Sequence, residues 1–296
     1  MFIEARIDFK KPDHDLLKRK GYSSYDLHCH SRYSDGIPRV QNMVKKAKKL
    51  NIGLAITDHN EIKGSLSALK KKEVDIIPGI ETTSKEGIHT LFYFYAKKDL
   101  EGFYDKYIKP NIQNKRTTYF LKIAETDLIE RSKEFNSVIS CAHPYGIFWT
   151  GMVKKYHKPT MVASNLKKID AIEVINGANL NKRNIKAVEL AKEINKSITG
   201  GSDCHTLYEL GNTITYSKER RSAEEFLDTI KDNKSFVMGK EFDMIRKSAL
   251  HSLKIKSMKM IPFSYVKKGA GYLYRRDYGI KTAVKNNLNR IKKKKA

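Results

Sequence analysis

The sequence predicts an α/β fold of the (β/α) barrel class. Short apolar runs alternate along the chain with segments of helical periodicity, an order typical of a parallel sheet with right-handed crossovers. Polar groups follow the carboxyl ends of these runs at regular intervals, which favours the catalytic face of a barrel over an open sheet. No Gly-rich dinucleotide motif and no P-loop follows any run, so nucleotide sites of those two kinds are excluded.

The predicted elements begin at residue 22, after a polar lead-in with at most one short strand. Segment 40–50 is a predicted helix because its apolar residues recur with a helical period and lysines occupy the other face. Segment 52–57 is a compact apolar run, as expected of a strand buried on both faces. Strands are predicted on these grounds over residues 22–30, 52–57, 74–80, 88–95, 137–142, 171–175 and 197–201. Helices are predicted over residues 40–50, 61–72, most of 100–134, 185–194 and 223–231, with a loop and a helix over 148–166.

Histidines and carboxylates stand where these strands end. Residues two apart in a strand point the same way, so His28 and His30 face one side together, and Asp35 follows in the loop. Alone, this pair is equally well explained as two hydrogen-bonded strand histidines. Later strand ends add more groups of the same kind, and the full set is His28, His30, Asp35, His59, Glu81, His89, His143, Asp203 and His205. Nine such ligands are too many for one Zn²⁺, Mn²⁺ or Fe²⁺ ion, so we expect a cluster of two or three divalent metal ions.

The same residues lie in motifs that resemble, in order, those of the polymerase and histidinol phosphatase (PHP) superfamily. The resemblance covers about residues 26–238 and implies a distorted (β/α)7 TIM-like barrel with a trinuclear metal centre. It also implies hydrolysis of phosphoesters by a metal-bridging hydroxide, without a side-chain nucleophile. The matching motifs are His28-X-His30 with Ser34-Asp35-Gly36, then Thr57-Asp58-His59, Gly79-Ile80-Glu81, Ala142-His143-Pro144 and Gly200-Gly201-Ser202-Asp203-Cys204-His205.

The resemblance also implies a role for each of the nine residues. Catalysis through the bound metals would fall to His28, His30, Glu81, His143 and Asp203. The family often has His where Asp35 stands, and the spacing of His89 from Glu81 varies within it. The first metal would be held by His28, His30, Glu81 and Asp203, the second by Glu81 as bridge with His89 and His143, and the third by Asp35, His59 and His205.

Other polar residues near these motifs have weaker assignments. Asp58 would either orient a neighbouring ligand or cap the end of a strand. Arg32 and Arg183 are candidates to bind a substrate phosphate by a forked contact, with an ordinary surface arginine as the alternative. The three cysteines are an odd number, which argues against a disulfide framework, and we expect small buried hydrophobic groups rather than metal ligands at Cys29, Cys141 and Cys204.

Charge is distributed unequally along the chain. The net charge is +25, and the segment 240–296 carries 17 Lys and Arg against 3 Asp and Glu. We therefore predict a metallophosphoesterase barrel over residues 22–239, with an insert at about 100–134, and a basic C-terminal extension over 240–296. Such a charge favours polyanionic partners, although a generally lysine-rich surface would also produce it. No run of about 18 apolar residues and no signal peptide is present, so no membrane partner and a cytoplasmic location are expected.

Within the superfamily, two motifs decide the predicted substrate. The uninterrupted segments 26–31 and 56–60 are similar to the branch that acts on nucleoside 3′,5′-bisphosphates and trims short RNA or DNA. Phe148 and Trp149, together with the basic extension, suit a single strand whose bases stack while its phosphates are neutralised. One alternative is a small-molecule phosphomonoesterase resembling histidinol phosphatase, which usually has His where Asp35 stands. A second is a non-catalytic nucleic-acid-binding protein on the same scaffold, against which the complete ligand set argues. The oligomeric state is not predicted.

Overall fold

A computed structural model of the chain describes residues 2–113, 120–146, 150–153 and 158–241. Residues 1–243 form one compact unit. Phe148, Trp149 and the basic extension beyond Glu241 lie outside the described residues, and so do residues 114–119 of the predicted insert. The predictions made for them are therefore not tested by the structure. Among the described residues, no helix combines the length and apolar character needed to cross a membrane.

Strands and helices alternate through the described part of the chain, as predicted. Its strands are β1 (Ile7–Asp8), β2 (Ser23–Cys29), β3 (Gly53–Ile56), β4 (Gly79–Thr83), β5 (His89–Phe94), β6 (Ser137–Cys141), β7 (Ala171–Asn176), β8 (Ser197–Gly201), β9 (Thr213–Ser217) and β10 (Phe236–Gly239). Its α-helices are α1 (His14–Arg19), α2 (Val40–Leu50), α3 (Lys63–Leu69), α4 (Lys97–Phe103), α5 (Glu125–Ser132), α6 (Pro159–Lys168), α7 (Asn181–Glu193) and α8 (Ala223–Lys231). Short 3-10 turns at Ile3–Arg6 and Lys109–Asn111 and a π turn at Tyr104–Ile108 complete the list.

The strands form two five-stranded mixed sheets, so the prediction of a parallel sheet is wrong in part. The first has the order β1-β10-β9-β2-β3 and the second the order β4-β5-β6-β7-β8. Pairing is parallel in β2–β3, β1–β10 and β6–β7–β8, but β9 runs antiparallel to both neighbours and β5 runs antiparallel to β4 and β6. The connection from β4 to β5 holds only residues 84–88, and such a short link joins antiparallel strands.

The closed barrel is not confirmed, because the ladders of the described residues form two sheets rather than one ring. Isolated bridges nevertheless join segments at the carboxyl ends of the strands. Cys29 at the end of β2 bridges Cys204 after β8, and His59 after β3 bridges Glu81 in β4. Both bridges are parallel, so these strand ends lie side by side. The edge where the predicted polar groups stand is therefore a single region.

Local sequence explains most element boundaries. Helix α2 buries Val40, Met43, Val44 and Ala47 and stops at Asn51, whose backbone adopts the left-handed conformation (φ +55°) that favours asparagine at a helix end. The strand predicted over 74–80 is displaced: β4 begins at Gly79, directly after Pro78, whose nitrogen cannot donate to a ladder. Strands β9 and β10 were not predicted, because β9 has a mostly polar sequence that resembles a loop and β10 holds only four residues.

Candidate metal centre

The carboxylate of Glu81 is the centre of a cluster of buried histidines. Glu81 belongs to β4 and is fully buried. Its Oε1 atom lies 3.0 Å from His89 Nδ1 and 3.3 Å from His143 Nε2. Its Oε2 atom lies 3.0 Å from His59 Nδ1, 3.3 Å from His28 Nε2 and 3.4 Å from His30 Nε2. One carboxylate thus faces five imidazole rings that come from four different segments of the chain.

Two further carboxylates extend the cluster on one side. Asp203 Oδ1 lies 3.1 Å from His30 Nε2 and 3.6 Å from His28 Nε2. Asp35 Oδ2 lies 3.1 Å from His205 Nε2, and Asp35 Oδ1 lies 3.8 Å from His30 Nδ1. The structure therefore brings together all nine residues that the sequence singled out.

Within the described residues, these side chains form four overlapping groups whose potential ligand atoms all lie within 4.8 Å of one another. His28, His30, His59 and Glu81 each belong to two groups, so the four groups share residues and are not independent of one another. The grouping resembles the ligand sets implied by the family motifs, with His30 added beside the set of Asp35, His59 and His205. The four groups are His28, His30 and Asp203; His28, Glu81 and His143; His59, Glu81 and His89; and His30, Asp35, His59 and His205.

The donor atoms of this cluster fit divalent cations. His59 Nδ1 and His89 Nδ1 each lie 3.0 Å from a Glu81 oxygen, yet neither makes a hydrogen bond of normal geometry, and Glu81 Oε2 also has no hydrogen-bond partner among the described residues. Buried polar atoms are rarely left without partners in folded proteins. Imidazole nitrogens and carboxylate oxygens that converge in this way are the ligands that Zn²⁺, Mn²⁺ and Fe²⁺ accept.

The pKa shifts of several cluster residues favour the protonation states in which they can bind a metal ion. Burial lowers the pKa of His59 to about 4 and also lowers those of His30 and His89. Burial would raise the pKa of Glu81, but the charges of the surrounding histidines outweigh it and hold that pKa well below its ordinary value. At neutral pH the carboxylate is therefore ionised and the rings of His30, His59 and His89 are neutral, which is the protonation state that metal ligation requires. The pKa values of His28 and His143 are raised instead, because the nearby carboxylates outweigh the effect of burial, so a bound cation would have to displace protons from these two rings.

Unusual backbone conformations aim two of these side chains. His143 and Asp203, each in a loop directly after a strand, have positive φ angles of 26° and 50°, which non-glycine residues rarely adopt.

Gly201, at the end of β8, allows the chain to lie against His28. A Cβ atom at this glycine would lie 2.3 Å from His28 Cβ and 2.6 Å from its backbone nitrogen. Only a glycine fits there without displacing β2 from β8.

A residue that the sequence analysis missed, Glu173, contacts His28 and His143. Glu173 in β7 is 1% exposed, and its Oε1 atom lies 2.9 Å from His28 Nδ1. Its Oε2 atom accepts hydrogen bonds from the backbone N–H of His143 at 2.7 Å and from Asn176 Nδ2 at 3.0 Å. A carboxylate at this position favours the proton on Nδ1 and leaves Nε2 of His28 as the ligand atom. The signal was available: Glu173 is a single charged residue within an apolar strand.

Three weaker assignments have different outcomes. Asp58 accepts hydrogen bonds from Ser31 N at 2.7 Å and from the hydroxyls of Ser31 and Ser34 at 2.6 Å each, so it ties down the loop after His30. Arg183 donates to the carbonyl of Tyr145 at 2.8 Å and Arg32 is exposed, and among the described residues neither guanidinium makes a hydrogen bond or ion pair with any of the nine. All three cysteines are free and buried, as expected.

Comparisons with known proteins agree with the fold. A curated, uncharacterised protein of Methanocaldococcus jannaschii is 25% identical over 215 residues, which cover 70% of this chain and 78% of that protein. The fold is similar to the lesion-specific Endonuclease Q of Pyrococcus furiosus (TM-score 0.59, 20% identity), over 73% of this chain but only 57% of that one. A second Endonuclease Q structure holds a 27-mer duplex with an abasic lesion at the active site (TM-score 0.58, 21% identity, 71% of this chain and 57% of that one).

A two-domain protein of Bacteroides vulgatus, described as containing a predicted PHP-like metal-dependent phosphoesterase, has a TM-score of 0.53 and 19% identity over 79% of this chain and 68% of that one. The family model described as the PHP domain matches residues 26–237. That match begins just before His28 and ends after His205, so it contains all nine clustered residues. The chain belongs to the PHP domain family.

Proposed function

We propose that this chain is a metal-dependent phosphoesterase that hydrolyses phosphate esters of nucleotides or of short single-stranded nucleic acids. The observation that carries the proposal is the contact of one buried carboxylate, Glu81, with five histidines, several of whose ring nitrogens have no hydrogen bond among the described residues. A fully hydrogen-bonded structural cluster would not leave such atoms without partners. The proposal includes a catalytic unit over residues 22–239, folded as a distorted barrel, and a basic extension over 240–296.

The nine residues have defined roles in this proposal. His28, His30, Glu81 and Asp203 would hold one divalent cation, Glu81 with His89 and His143 a second, and Asp35 with His59 and His205 a third. Bound cations of this kind supply activation of water and neutralisation of phosphoryl oxygens. The chain itself orients the ligands: Glu173 fixes the ring of His28, and Asn176 donates to Asp203 Oδ2 at 3.2 Å. Arg32 and Arg183 remain proposed phosphate contacts.

The substrate class is proposed on two grounds. The net charge of +25, more than half of it beyond residue 240, favours polyanionic substrates over small neutral ones. Endonuclease Q, which shares the fold, acts on DNA with a lesion, so this architecture can accommodate nucleic acid. Asp35 replaces the histidine typical of histidinol phosphatase-like enzymes, which disfavours that alternative.

The test is phosphate release by the Mn²⁺-loaded protein from adenosine 3′,5′-bisphosphate, short 5′-phosphorylated RNA and DNA, and histidinol phosphate. We expect turnover of the nucleotide substrates and its loss in His143→Ala and Asp203→Ala, with unchanged circular dichroism. Asp127→Asn, an exposed change on α5, serves as the matched control and should keep full activity. Turnover of histidinol phosphate alone would refute the nucleotide assignment, and full activity of either site variant would refute the metal ligands.

A further inference from the structure

A cavity lies at the end of the first sheet opposite to the metal centre. Its volume is about 690 Å³. Residues 23–25 at the start of β2 and residues 52–53 at the start of β3 form its wall, whereas His28 and His59 stand at or beyond the carboxyl ends of the same two strands. The cavity is therefore separate from the cluster around Glu81. A volume in this range suits a ligand of nucleotide size.

The cavity carries unbalanced positive charge. Its acidic groups are Glu73 and Asp75, and its cations are Lys18, Lys48, Lys72, Arg220 and Arg221. Among the described residues, Arg221 pairs with Glu219, but the other four cations have no ion pair. Elsewhere on the described surface, lysines often do pair with acids, as Lys97 does with Glu101. Cations gathered in a concave site without acidic partners create a field that attracts anions.

A buried hydroxyl also lines this cavity, beside one of its acidic groups. Tyr25 is 1% exposed, and burial together with the nearby carboxylate of Asp75 raises the pKa of its hydroxyl. No contact of this hydroxyl with a described residue has the geometry of a normal hydrogen bond. The ring is fixed, because it packs 4.2 Å from the ring of Phe226 and lies against Gly53, where a Cβ atom would come within 2.2 Å of it. The Nε atom of Arg221 is likewise shielded from water and without a hydrogen-bond partner among the described residues. Buried donors of this kind usually have a partner.

We propose that this cavity binds a compact phosphorylated anion, of the class of nucleoside di- and triphosphates. The unpaired lysines and Arg220 would neutralise its phosphates, and the hydroxyl of Tyr25 and Nε of Arg221 would donate hydrogen bonds to its oxygens. The volume of about 690 Å³ suits one compact ligand, whereas a nucleic-acid strand would need a groove longer than one nucleotide. A compact ligand therefore fits better than a nucleic-acid strand. This inference does not depend on the proposed activity at the metal centre.

The experiment is calorimetric titration of the full, metal-loaded chain with inorganic pyrophosphate. The test variant is Lys48→Ala combined with Arg220→Ala, and the matched control is Lys49→Ala, which removes an exposed lysine from the same helix outside the cavity. We expect binding at least tenfold weaker in the test variant and unchanged in the control. Equal affinity in wild type and test variant would overturn the proposal, because pyrophosphate would then bind elsewhere, for example at the metal centre. Equal weakening by Lys49→Ala would also overturn it, because surface charge alone would explain the binding.

Two further measurements separate a ligand site from a structural role. Tyr25→Phe keeps the ring and removes only the hydroxyl, so it should weaken pyrophosphate binding while leaving the midpoint of urea unfolding unchanged. A lower unfolding midpoint with unchanged binding would assign the hydroxyl to the fold and refute its role. A ten-nucleotide single strand is titrated in parallel. Loss of affinity for the strand alone in the Lys48 and Arg220 variant would assign the surface to nucleic acid and refute the compact-anion proposal. Hydrolysis of phosphoesters by the same variants should be unchanged. A negative result for anion binding in this cavity can therefore be told apart from a negative result for the proposed hydrolysis at the metal centre.

Discussion

Replacement of Glu173 by Gln should weaken metal binding without unfolding the protein. The glutamine has the same shape, but it offers one acceptor oxygen where the carboxylate offers two. Both carboxylate oxygens are in use, since Oε1 lies 2.9 Å from His28 Nδ1 and Oε2 accepts from the backbone of His143 at 2.7 Å. In either orientation, the NH2 group of the glutamine would face an N–H group that now donates to the carboxylate, either Nδ1–H of His28 or the backbone N–H of His143.

The magnitude follows from that mismatch. A buried donor left without an acceptor costs about 1–3 kcal/mol. Loss of the carboxylate behind a ligating histidine typically lowers metal affinity by about 10–100-fold, which corresponds to about 1.4–2.8 kcal/mol. The two ranges agree, so we expect Glu173→Gln to bind Mn²⁺ about 10–100-fold more weakly than wild type at pH 7.

The assay is competition for Mn²⁺ between the protein and a chromophoric chelator. Glu189→Gln is the matched control, because Glu189 is an exposed residue of α7 with no hydrogen bond or ion pair assigned among the described residues. The control should bind the metal as wild type does. An affinity of Glu173→Gln within twofold of wild type would refute the role of Glu173 as the residue that orients His28.

Two further changes test how the fold supports the site. Gly201→Ala should destabilise the protein by about 1–3 kcal/mol in urea unfolding and impair metal binding, because the new methyl group would lie 2.3 Å from His28 Cβ; wild-type stability with wild-type metal affinity would contradict this packing. Burial raises the pKa of Glu125 to about 8, so the folded state binds an extra proton between about pH 4.5 and 8, and wild-type stability should fall as the pH rises through that window. Glu125→Gln keeps an acceptor for the hydroxyl of Thr90 and should therefore gain stability over wild type by up to roughly 5 kcal/mol at pH 9 and little at pH 4; a gain independent of pH would contradict the buried, protonated carboxyl.

The sequence was most informative where a residue type combined with its position at a strand end. The residues around the metal centre, from His28 to His205, could be identified because carboxyl ends of neighbouring strands meet at one edge. Strand direction was not available from the same patterns, because a buried strand has the same apolar run whichever way its neighbours point. The antiparallel pairings of β5 were missed for that reason, whereas β9 was not predicted as a strand at all.

Long-range contacts account for the other differences. Glu173 was passed over because its partners, His28 and His143, are distant in sequence, although a carboxylate inside an apolar strand must find a partner when it is buried. Arg32 and Arg183 were chosen from their closeness in sequence to the motifs. The fold points the guanidinium of Arg183 to the carbonyl of Tyr145, a contact that no local pattern indicates.

The most direct test of the central claim is the rate of phosphate release as a function of Mn²⁺ bound per chain. The chelator-treated protein is reconstituted stepwise and assayed with adenosine 3′,5′-bisphosphate and a short 5′-phosphorylated oligonucleotide. We predict no turnover without metal and a rate that rises with occupancy to two or three ions per chain. Full occupancy with no turnover of any phosphoester, or turnover that survives removal of the metal, would contradict the assignment of a metal-dependent phosphoesterase.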